Sequence, residues 1–264
     1  MKKIVLFIFL LLHLSVFSQS RELILPVAAD SYPAVLDEFY GYDQFGFLYF
    51  KSDNAFIKAK SGQTSEYKNL SLGRISRADI HNPLLIILFY QSFNTIVLLD
   101  NQMNEIRKIN LSELETAVVA HAAGLADRNQ LWIYDSLTQQ IGLYDYLNNS
   151  YRTITPSFKG NILHYETDFN TFQWVDDSLN RFSCDVFGKI TPLGKVPAFD
   201  EMQSVSASAL LYRKDGQLYY YSLNDDKSTL IDLGKKSLSG FWYNDQILSI
   251  FTKEGITNFK LTLP

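Results

Sequence analysis

The sequence of 264 residues contains a single cysteine, Cys184, which excludes an internal disulfide framework. Small exported domains usually need such links because their hydrophobic cores are small. A chain of this length without disulfides has to be stabilised by an extensive core. Cys184 itself lies within an apolar run, residues 182–186, where a thiol usually packs as a small hydrophobic group.

The chain also lacks runs of basic residues. Its 24 Lys and Arg residues are outnumbered by 28 Asp and Glu residues, which gives a net charge of −4. Surfaces that bind nucleic acids and segments that bind anionic lipids depend on clustered positive charge. The composition therefore predicts no nucleic-acid partner.

Motifs for catalysis or cofactor binding are missing as well. There is no Gly-x-Ser-x-Gly nucleophile turn, and no glycine-rich loop that could cradle a phosphate. The adjacent acidic pairs, 176–177 and 225–226, would face opposite ways in a strand, so they suit turns better than a two-carboxylate hydrolytic site. The sequence predicts no cofactor and favours a protein that is not an enzyme.

The one long hydrophobic run lies at the N-terminus. Lys2 and Lys3 precede an apolar stretch over residues 4–12, and residues 16–18 fit a signal-peptidase site. The stretch falls short of the roughly 20 residues that a stable anchor needs; an uncleaved anchor is the alternative interpretation. We predict a signal peptide at residues 1–18 and a mature chain with no membrane-spanning segment. No lipid anchor is expected, because no cysteine lies near the cleavage site.

Export places the mature protein in the periplasm or at the outer membrane of a Gram-negative bacterium, or outside the cell.

An internal repeat dominates the rest of the sequence. One complete copy, residues 84–109, has an apolar run, a polar turn, a second apolar run closed by Asp100, another turn and an alternating segment. Short apolar runs between turn-forming residues indicate antiparallel strands rather than helices. Similar units start with apolar runs whose middles lie near residues 48, 86, 132, 173, 211 and 248. A period of roughly 40 residues is typical of propeller blades. Asp145 and Asp185 match Asp100 and are expected to cap turns.

A further candidate strand precedes each unit. These strands are residues 35–40, 75–80, 118–123, 162–165, 202–206 and 239–243. The pattern predicts an all-β fold: a six-bladed β-propeller with four-stranded antiparallel blades, in a single domain over residues 19–264. The sixth unit lacks room for an outer strand. We predict that residues 23–27 supply it and close the ring; disorder of this segment is the alternative.

Phrases such as IVLLDNQMNEI and LWIYDSLTQQIGLYDY repeat one order of strand, aspartate and turn. In this pattern the chain resembles, over residues 23–264, the secreted bacterial six-bladed β-propellers with NHL-like repeats. The resemblance implies the propeller fold. It implies no activity, because the chain has no Tyr-Trp-Thr-Asp repeat, no regular Gly-His to Trp-Asp spacing and no Ser-x-Asp-x-Gly-x-Thr-Trp box.

Three histidines are candidate metal ligands. His81, His121 and His164 fall in or beside the predicted innermost strands of three consecutive blades. If all three point into the channel, they converge on a metal ion with Asp79 or Glu166 as an oxygen ligand. Ordinary polar channel or loop residues are the favoured interpretation, because the three offsets to the following strand are unequal and the other blades contribute no matching histidine.

Runs of aromatic residues at 219–221 and 241–243 are the remaining signal. Consecutive side chains of a strand point to opposite faces, so at least one ring in each run should meet solvent, a neighbouring blade or a partner. Tyr220 and Trp242 are therefore candidate contacts for a partner protein.

Two hypotheses for the function remain. The favoured one is a non-catalytic propeller that binds or scaffolds another protein of the cell envelope. The alternative is a hydrolase or lactonase-like enzyme with its site at the mouth of the channel, metal-assisted if the histidines converge.

Overall fold

The computed structural model describes residues 23–33, 36–234 and 238–264. It confirms an all-β propeller of six blades, which we number I to VI. Two strands, β1 (Leu23–Ile24) and β2 (Val27–Tyr32), precede the blades. Blade I contains β3 (Glu38–Tyr42), β4 (Leu48–Ser52), β5 (Ala55–Lys60) and β6 (Gln63–Lys68); blade II contains β7 (Arg77–Asp79), β8 (Ile86–Tyr90), β9 (Thr95–Leu99) and β10 (Glu105–Asn110).

The other four blades repeat this order. Blade III contains β11 (Ala120–Leu125), β12 (Gln130–Asp135), β13 (Gln140–Asp145) and β14 (Ser150–Thr153); blade IV contains β15 (Ile162–Thr167), β16 (Thr171–Asp176), β17 (Asn180–Asp185) and β18 (Ile190–Lys195). Blade V contains β19 (Glu201–Ser204), β20 (Ala209–Lys214), β21 (Gln217–Ser222) and β22 (Lys227–Ile231); blade VI contains β23 (Gly240–Asn244), β24 (Ile247–Thr252) and β25 (Gly255–Lys260).

The first strand of each blade lies nearest the axis, because the first strands of neighbouring blades contact one another, including β23 of blade VI with β3 of blade I. We call the four strands A to D from the axis outward. The A–B and C–D turns lie at one end of the ring, the upper face. The B–C turns and the connections between blades lie at the other end, the lower face.

Tight turns between strands follow from local residue preferences. The B–C turn of blade I places Asp53 and Asn54 at φ 49° and 61°, and the A–B turn of blade VI places Asp245 and Gln246 at 47° and 63°. Two successive residues with positive φ match the right-handed twist of the flanking strands. Asp and Asn tolerate this conformation better than most residues, which explains their density between the apolar runs.

The hydrophobic core is divided among the blade interfaces. Each pair of neighbouring blades encloses its own cluster, and the clusters between II and III and between V and VI contain the most buried residues. The cluster between VI and I is the smallest, with Leu36, Leu48 and Ile256 as its buried residues. The interface that joins the last blade to the first is therefore the one with the least apolar burial.

An N-terminal strand closes the ring on the last blade, as predicted, but the strand is not the predicted one. The D strand of blade VI is β2, Val27–Tyr32, which pairs antiparallel with β25. Residues Leu23–Ile24 instead pair parallel with β22 as a fifth strand of blade V. Pro26, which lacks an N–H, lies in the two-residue link between them. The whole of β2 is exposed, so no apolar run marked it in the sequence.

The helices in the described residues are single 3₁₀ turns: Leu70–Leu72, Gln91–Phe93 and Leu111–Glu113. None of the helices within residues 23–33, 36–234 and 238–264 is long and apolar enough to cross a membrane. The predicted signal peptide, residues 1–18, lies outside the described residues, as does Val35 at the start of the first predicted inner strand.

Removal of β1 and β2, in a variant that begins at Pro33, tests the ring closure. We expect a loss of about 3–6 kcal/mol in the free energy of unfolding, since each lost backbone hydrogen bond contributes about 0.5–1.5 kcal/mol. Thermal unfolding should shift down by about 10 °C. A variant that begins at Val27 and loses only β1 is the matched control and should retain most of the stability. Equal stability of the variant that begins at Pro33 and the longer chain would contradict the closing role.

Candidate functional site

The innermost strands surround the axis but belong to six different sheets, so backbone ladders do not join them. Side chains of these strands reach the backbone of the next blade and make the links instead. The residues that do this include the acidic residues near the predicted histidines. Their contacts decide whether the channel has groups free for chemistry.

Asp79, at the end of β7, is buried and connects three blades. Its Oδ2 accepts hydrogen bonds from the Leu125 N–H of blade III at 2.8 Å and from the Thr167 hydroxyl of blade IV at 3.3 Å. Its Oδ1 accepts one from the His81 N–H at 3.0 Å and lies 2.8 Å from His81 Nδ1. Burial raises the pKa of the Asp79 carboxyl, but the hydrogen bonds from His81 and Leu125 outweigh burial and hold it below its usual value. Both carboxylate oxygens are engaged within the protein.

Side chains also fill the space next to Asp79. The Tyr165 hydroxyl lies 3.3 Å from the Ala123 carbonyl oxygen, and the Arg77 guanidinium lies 4.9 Å from the centre of the Tyr165 ring. Gly124 is required here, because a Cβ at this position would collide with the Thr167 hydroxyl. The channel between blades II, III and IV is thus packed rather than open.

Glu166, on β15, forms the corresponding link between blades IV and V. Both carboxylate oxygens accept the Ser204 N–H, at 2.9 and 3.1 Å, and Oε1 lies 3.0 Å from His164 Nε2. Burial raises the pKa of Glu166, but the contacts with His164 and Ser204 outweigh it and set the pKa at about 2. Glu166 is therefore a carboxylate at neutral pH, and its bonds hold β19 against β15.

Arg181 is fully buried behind this link. Its guanidinium donates to Gln173 Oε1 at 2.7 Å, to Ser204 Oγ at 2.9 Å and to the carbonyl oxygens of Ser206 and Ala207 at 3.2 and 3.3 Å. Its Nε has no partner among the described residues. Burial lowers the pKa of Arg181. The contacts fix the A–B turn of blade V.

Two further links lie between blades V and VI and between blades VI and I. The side-chain amide of Gln203 in blade V makes two hydrogen bonds to the backbone of Tyr243 in blade VI. Its Nε2 donates to the Tyr243 carbonyl oxygen at 2.6 Å, and its Oε1 accepts the Tyr243 N–H at 2.8 Å. Between blades VI and I, the Trp242 ring lies 5.8 Å from the Tyr42 ring. Gly41, at φ 123°, makes room for that ring, since a Cβ would collide with the Trp242 indole.

The three histidines are not brought together. His81 follows the end of β7 on the upper face, whereas His121 lies at the start of β11 toward the lower face, 3.0 Å from Gln91 Nε2. His164 lies within β15 against Glu166 and the edge of Phe199. The described residues contain no group of three His, Cys, Asp or Glu side chains that could hold a metal ion.

The two aromatic candidates for partner binding lie mostly inside the ring. Trp242 is half-buried against blade I. Tyr220 is only 8 % exposed and packs in the cluster between blades V and VI, with its edge at a surface groove. Cys184, as predicted, is buried in an apolar cluster, and burial raises the pKa of its thiol to about 12.

The aspartates at repeated positions cap turns, as predicted. The carboxylates of Asp100, Asp145 and Asp185 each accept hydrogen bonds from backbone N–H groups two to four residues later. The same backbone hydrogen bond holds turns that carry large apolar residues at exposed tips on the upper face. These tips are Phe45 (capped by Asp43), Leu84 (by Asn82), Leu147 (by Asp145) and Phe187 (by Asp185).

A groove of about 630 Å³ opens between blades V and VI. Its walls come from the A–B and C–D turns of blade V, the A–B turn of blade VI and the segment after β25, so it lies on the upper face. Its lining comprises Val205, Ser206, Ser208, Ala209, Tyr220, Ser222, Asn224, Asp225, Lys227, Thr229, Tyr243, Gln246, Thr262, Leu263 and Pro264.

Sequence reasoning missed Arg181, Gln203 and the groove. A signal for Arg181 was present in the repeat, because the second residue of strand C is apolar and buried in every other blade: Phe56, Ile96, Ile141, Leu218 and Ile256. A charged residue at this position indicates a specific local role. The groove left no signal, since its lining comes from segments up to 60 residues apart.

The sequence matches no protein-family model, and no curated protein matches it. Solved structures share the fold. Virginiamycin B lyase from Staphylococcus aureus superposes with a TM-score of 0.58 at 11% identity, covering 93% of this chain and 97% of that chain.

The β-propeller domain of Cps50 (Swd1) from Myceliophteria thermophila gives 0.58 at 8% identity, covering 90% and 100%. BBS1N, in its complex with ARL6DN, gives a TM-score of 0.56 at 11% identity, covering 89% and 81%. At these identities the likeness establishes the propeller class and nothing finer.

Replacement of Asp79 by alanine tests the central link. We expect a loss of about 3–5 kcal/mol in unfolding free energy, because the Leu125 N–H, the Thr167 hydroxyl and His81 lose a shared buried partner. Urea unfolding followed by tryptophan fluorescence measures it. Asp145→Ala, which removes the same group from an exposed turn, is the control and should cost much less. Equal losses would show that the link across blades is unimportant.

The low pKa of Glu166 makes a prediction about pH. A carboxylate whose pKa falls on folding stabilises the protein above its unfolded pKa, and that contribution is lost as the pH falls toward the folded value of about 2. Glu166→Gln should therefore lower the free energy of unfolding by about 3 kcal/mol at pH 7. The difference in unfolding free energy from the original protein should shrink below a pH of about 4.5. Urea unfolding from pH 7 to 3 measures this difference.

Glu115→Gln, at an exposed loop position, is the control for the pH series and should give no comparable trend. A difference for Glu166→Gln that is constant down to pH 3 would contradict the ionic role of this residue.

Proposed function

We propose that this protein is an exported, non-catalytic propeller that binds another protein of the cell envelope through its upper face. The observation that carries the proposal is the set of four exposed apolar turn tips on blades I to IV, which share the upper face with the groove between blades V and VI. The acidic residues of the channel, by contrast, are occupied in holding the blades together.

The turn tips have the properties of contact residues. Phe187 is 89 % exposed, and Phe45, Leu84 and Leu147 each expose more than half of their surface. Each is held by a hydrogen bond from its own N–H to an Asp or Asn two residues earlier. Large apolar side chains on an ordered backbone provide contact area at little cost in conformational entropy.

The lower face also exposes apolar residues, including Leu70, Leu137 and Leu163. Exposure alone therefore does not distinguish the faces. The groove does, because it adds a recess of about 630 Å³ to the upper face, within the range of recesses that bind ligands.

The proposed location in the envelope is supported by the sequence of residues 1–18, in which Lys2 and Lys3 precede an apolar run and residues 16–18 fit a signal-peptidase site. Fold likeness alone does not decide between binding and catalysis. One propeller with a TM-score of 0.58 is named as a lyase and another is described in a complex with a second protein.

An enzyme remains the second candidate, because His164 lies 3.0 Å from the ionised Glu166 beside the channel. A histidine next to a carboxylate is an arrangement that general-base catalysis uses. This candidate would place a hydrolase or lactonase-like activity at the channel, and it would require Glu166 for turnover rather than only for stability.

Substitution of the turn tips tests the proposed function. The partner is first captured from envelope fractions with the original protein and identified. The affinity of the double variant Leu147→Asp with Phe187→Asp for this partner should be at least about tenfold lower, because the variant places charges in an apolar contact. Leu137→Asp is the matched control: Leu137 is also an exposed turn tip held by an aspartate, Asp135, but on the lower face. Binding measured by surface plasmon resonance should be unchanged for it.

Two outcomes would contradict the proposal. One is that the original protein retains no partner above the background of an unrelated exported protein. The other is that it hydrolyses esters or lactones and that Glu166→Gln abolishes turnover while the protein remains folded.

A further inference from the structure

We propose that the groove between blades V and VI binds an extended, uncharged peptide segment of the partner, and that Arg181 positions the wall that contacts it. This inference rests on the proposed function and specifies the chemistry of one part of the binding face.

The groove is elongated along the radius of the ring. On blade V its lining runs from the A–B turn, Ser206 and Ser208, across Tyr220 and Ser222 of strand C to Thr229 of strand D. Neighbouring strands are about 4.8 Å apart, so the groove spans roughly 10–15 Å. An extended peptide rises about 3.3 Å per residue, and three to five residues fit this length.

The lining is rich in serine, threonine, tyrosine and side-chain amides, with a partly apolar floor formed by Val205, Ala209 and Leu263. Tyrosine with serine and asparagine is the composition of antibody paratopes, where tyrosine gives contact area and the small polar groups give adaptable hydrogen bonds. Backbone N–H and C=O groups of a peptide match these donors and acceptors. This favours a peptide as the occupant.

The charges of the groove are already engaged. Asp225 accepts a hydrogen bond from the Ser222 hydroxyl at 2.7 Å, and Lys227 interacts within the chain. A phosphorylated or strongly charged ligand would find no cluster of opposite charge. Tyr220 is 8 % exposed, so it leaves little open surface on which a sugar ring could stack.

The walls are held in place before any ligand binds. Gln203 clamps the backbone of Tyr243, whose hydroxyl lies 3.4 Å from the Leu261 carbonyl oxygen, and the Leu261 N–H donates to the Gln246 carbonyl oxygen at 2.8 Å. A preformed recess avoids the entropy cost of ordering on binding.

Arg181 secures the opposite wall. From blade IV it holds the carbonyl oxygens of Ser206 and Ala207 and the hydroxyl of Ser204, and so fixes the turn that presents Ser206 and Ser208 to the groove. In every other blade the corresponding position carries an apolar residue, which would be less costly to bury. The position of a binding wall explains why a buried arginine is kept here.

A random dodecapeptide library displayed on phage is the probe. Peptides selected on the original full-length protein are fluorescently labelled, and their affinities are measured by fluorescence anisotropy. Ser206→Trp and Thr262→Trp, which block the groove from its two walls, should each weaken binding at least about tenfold. Ser178→Trp, at an exposed turn on the lower face, is the matched control and should bind within about twofold of the original protein.

Arg181→Ile, the residue found at this position in three other blades, tests the positioning role separately. It should remain folded, because an apolar residue occupies this position in the other blades, but with a lower melting temperature, since Gln173 and the carbonyl oxygens of Ser206 and Ala207 lose their donor. Peptide affinity should nevertheless fall several-fold, and Arg181→Lys should recover it only in part, because lysine cannot donate to four acceptors in a fixed plane.

Three results would overturn the inference. The first is that no peptide is selected, and the second is that the selected peptides bind the two groove variants with the same affinity as the original protein. The third is that oligosaccharides from a glycan array bind in the groove and peptides do not. An unchanged affinity in Arg181→Ile would remove the positioning role alone. Partner capture is tested through the turn tips and does not depend on the groove. If a partner is captured but no peptide binds in the groove, this inference is refuted and the proposed function is not.

Discussion

The structure depends on how six separate sheets are joined around an axis where backbone ladders cannot reach from one to the next. Apolar clusters fill the wedge between each pair of blades, and near the axis side chains replace the missing ladder. Asp79, Glu166 and Gln203 each bond to the backbone of the following blade. A buried carboxylate is costly unless its oxygens are fully paired. The donors supplied by neighbouring blades meet this requirement only when the ring is complete.

The same constraint explains the N-terminal strands. The interface between blades VI and I has the smallest apolar cluster, so it gains least from burial. At this interface β2 completes the last blade and Asn258 bonds to both Asp30 and Tyr42. Strand β2 is thus joined to the last blade, and the edge of β25 is covered. Closure by hydrogen bonds offsets the scarcity of buried apolar surface.

The sequence predicted the elements whose burial leaves a pattern. Strands B and C carry most of the buried apolar residues because neighbouring blades pack against both of their faces. Asp100, Asp145 and Asp185 mark turns through their short side chains. Strand β2 left no such pattern, since it is exposed along its length. The histidines were close in repeat register but far apart along the axis, because His81 follows its strand and His121 precedes most of its own. The site depends on such axial positions, which periodicity does not encode.

The chain's polar residues divide into two groups with different consequences for function. Those at the axis, Asp79 and Glu166 among them, have their hydrogen-bonding capacity satisfied by the fold, so a substrate would have to compete with the bonds that hold the ring. The polar residues of the upper face belong to turns whose backbone is held by hydrogen bonds. They line the groove or cap the turns that carry the exposed apolar tips. Chemistry at the axis would weaken the scaffold, whereas contact at the upper face leaves it unchanged. This difference is the reason that we propose binding at the upper face rather than catalysis at the axis.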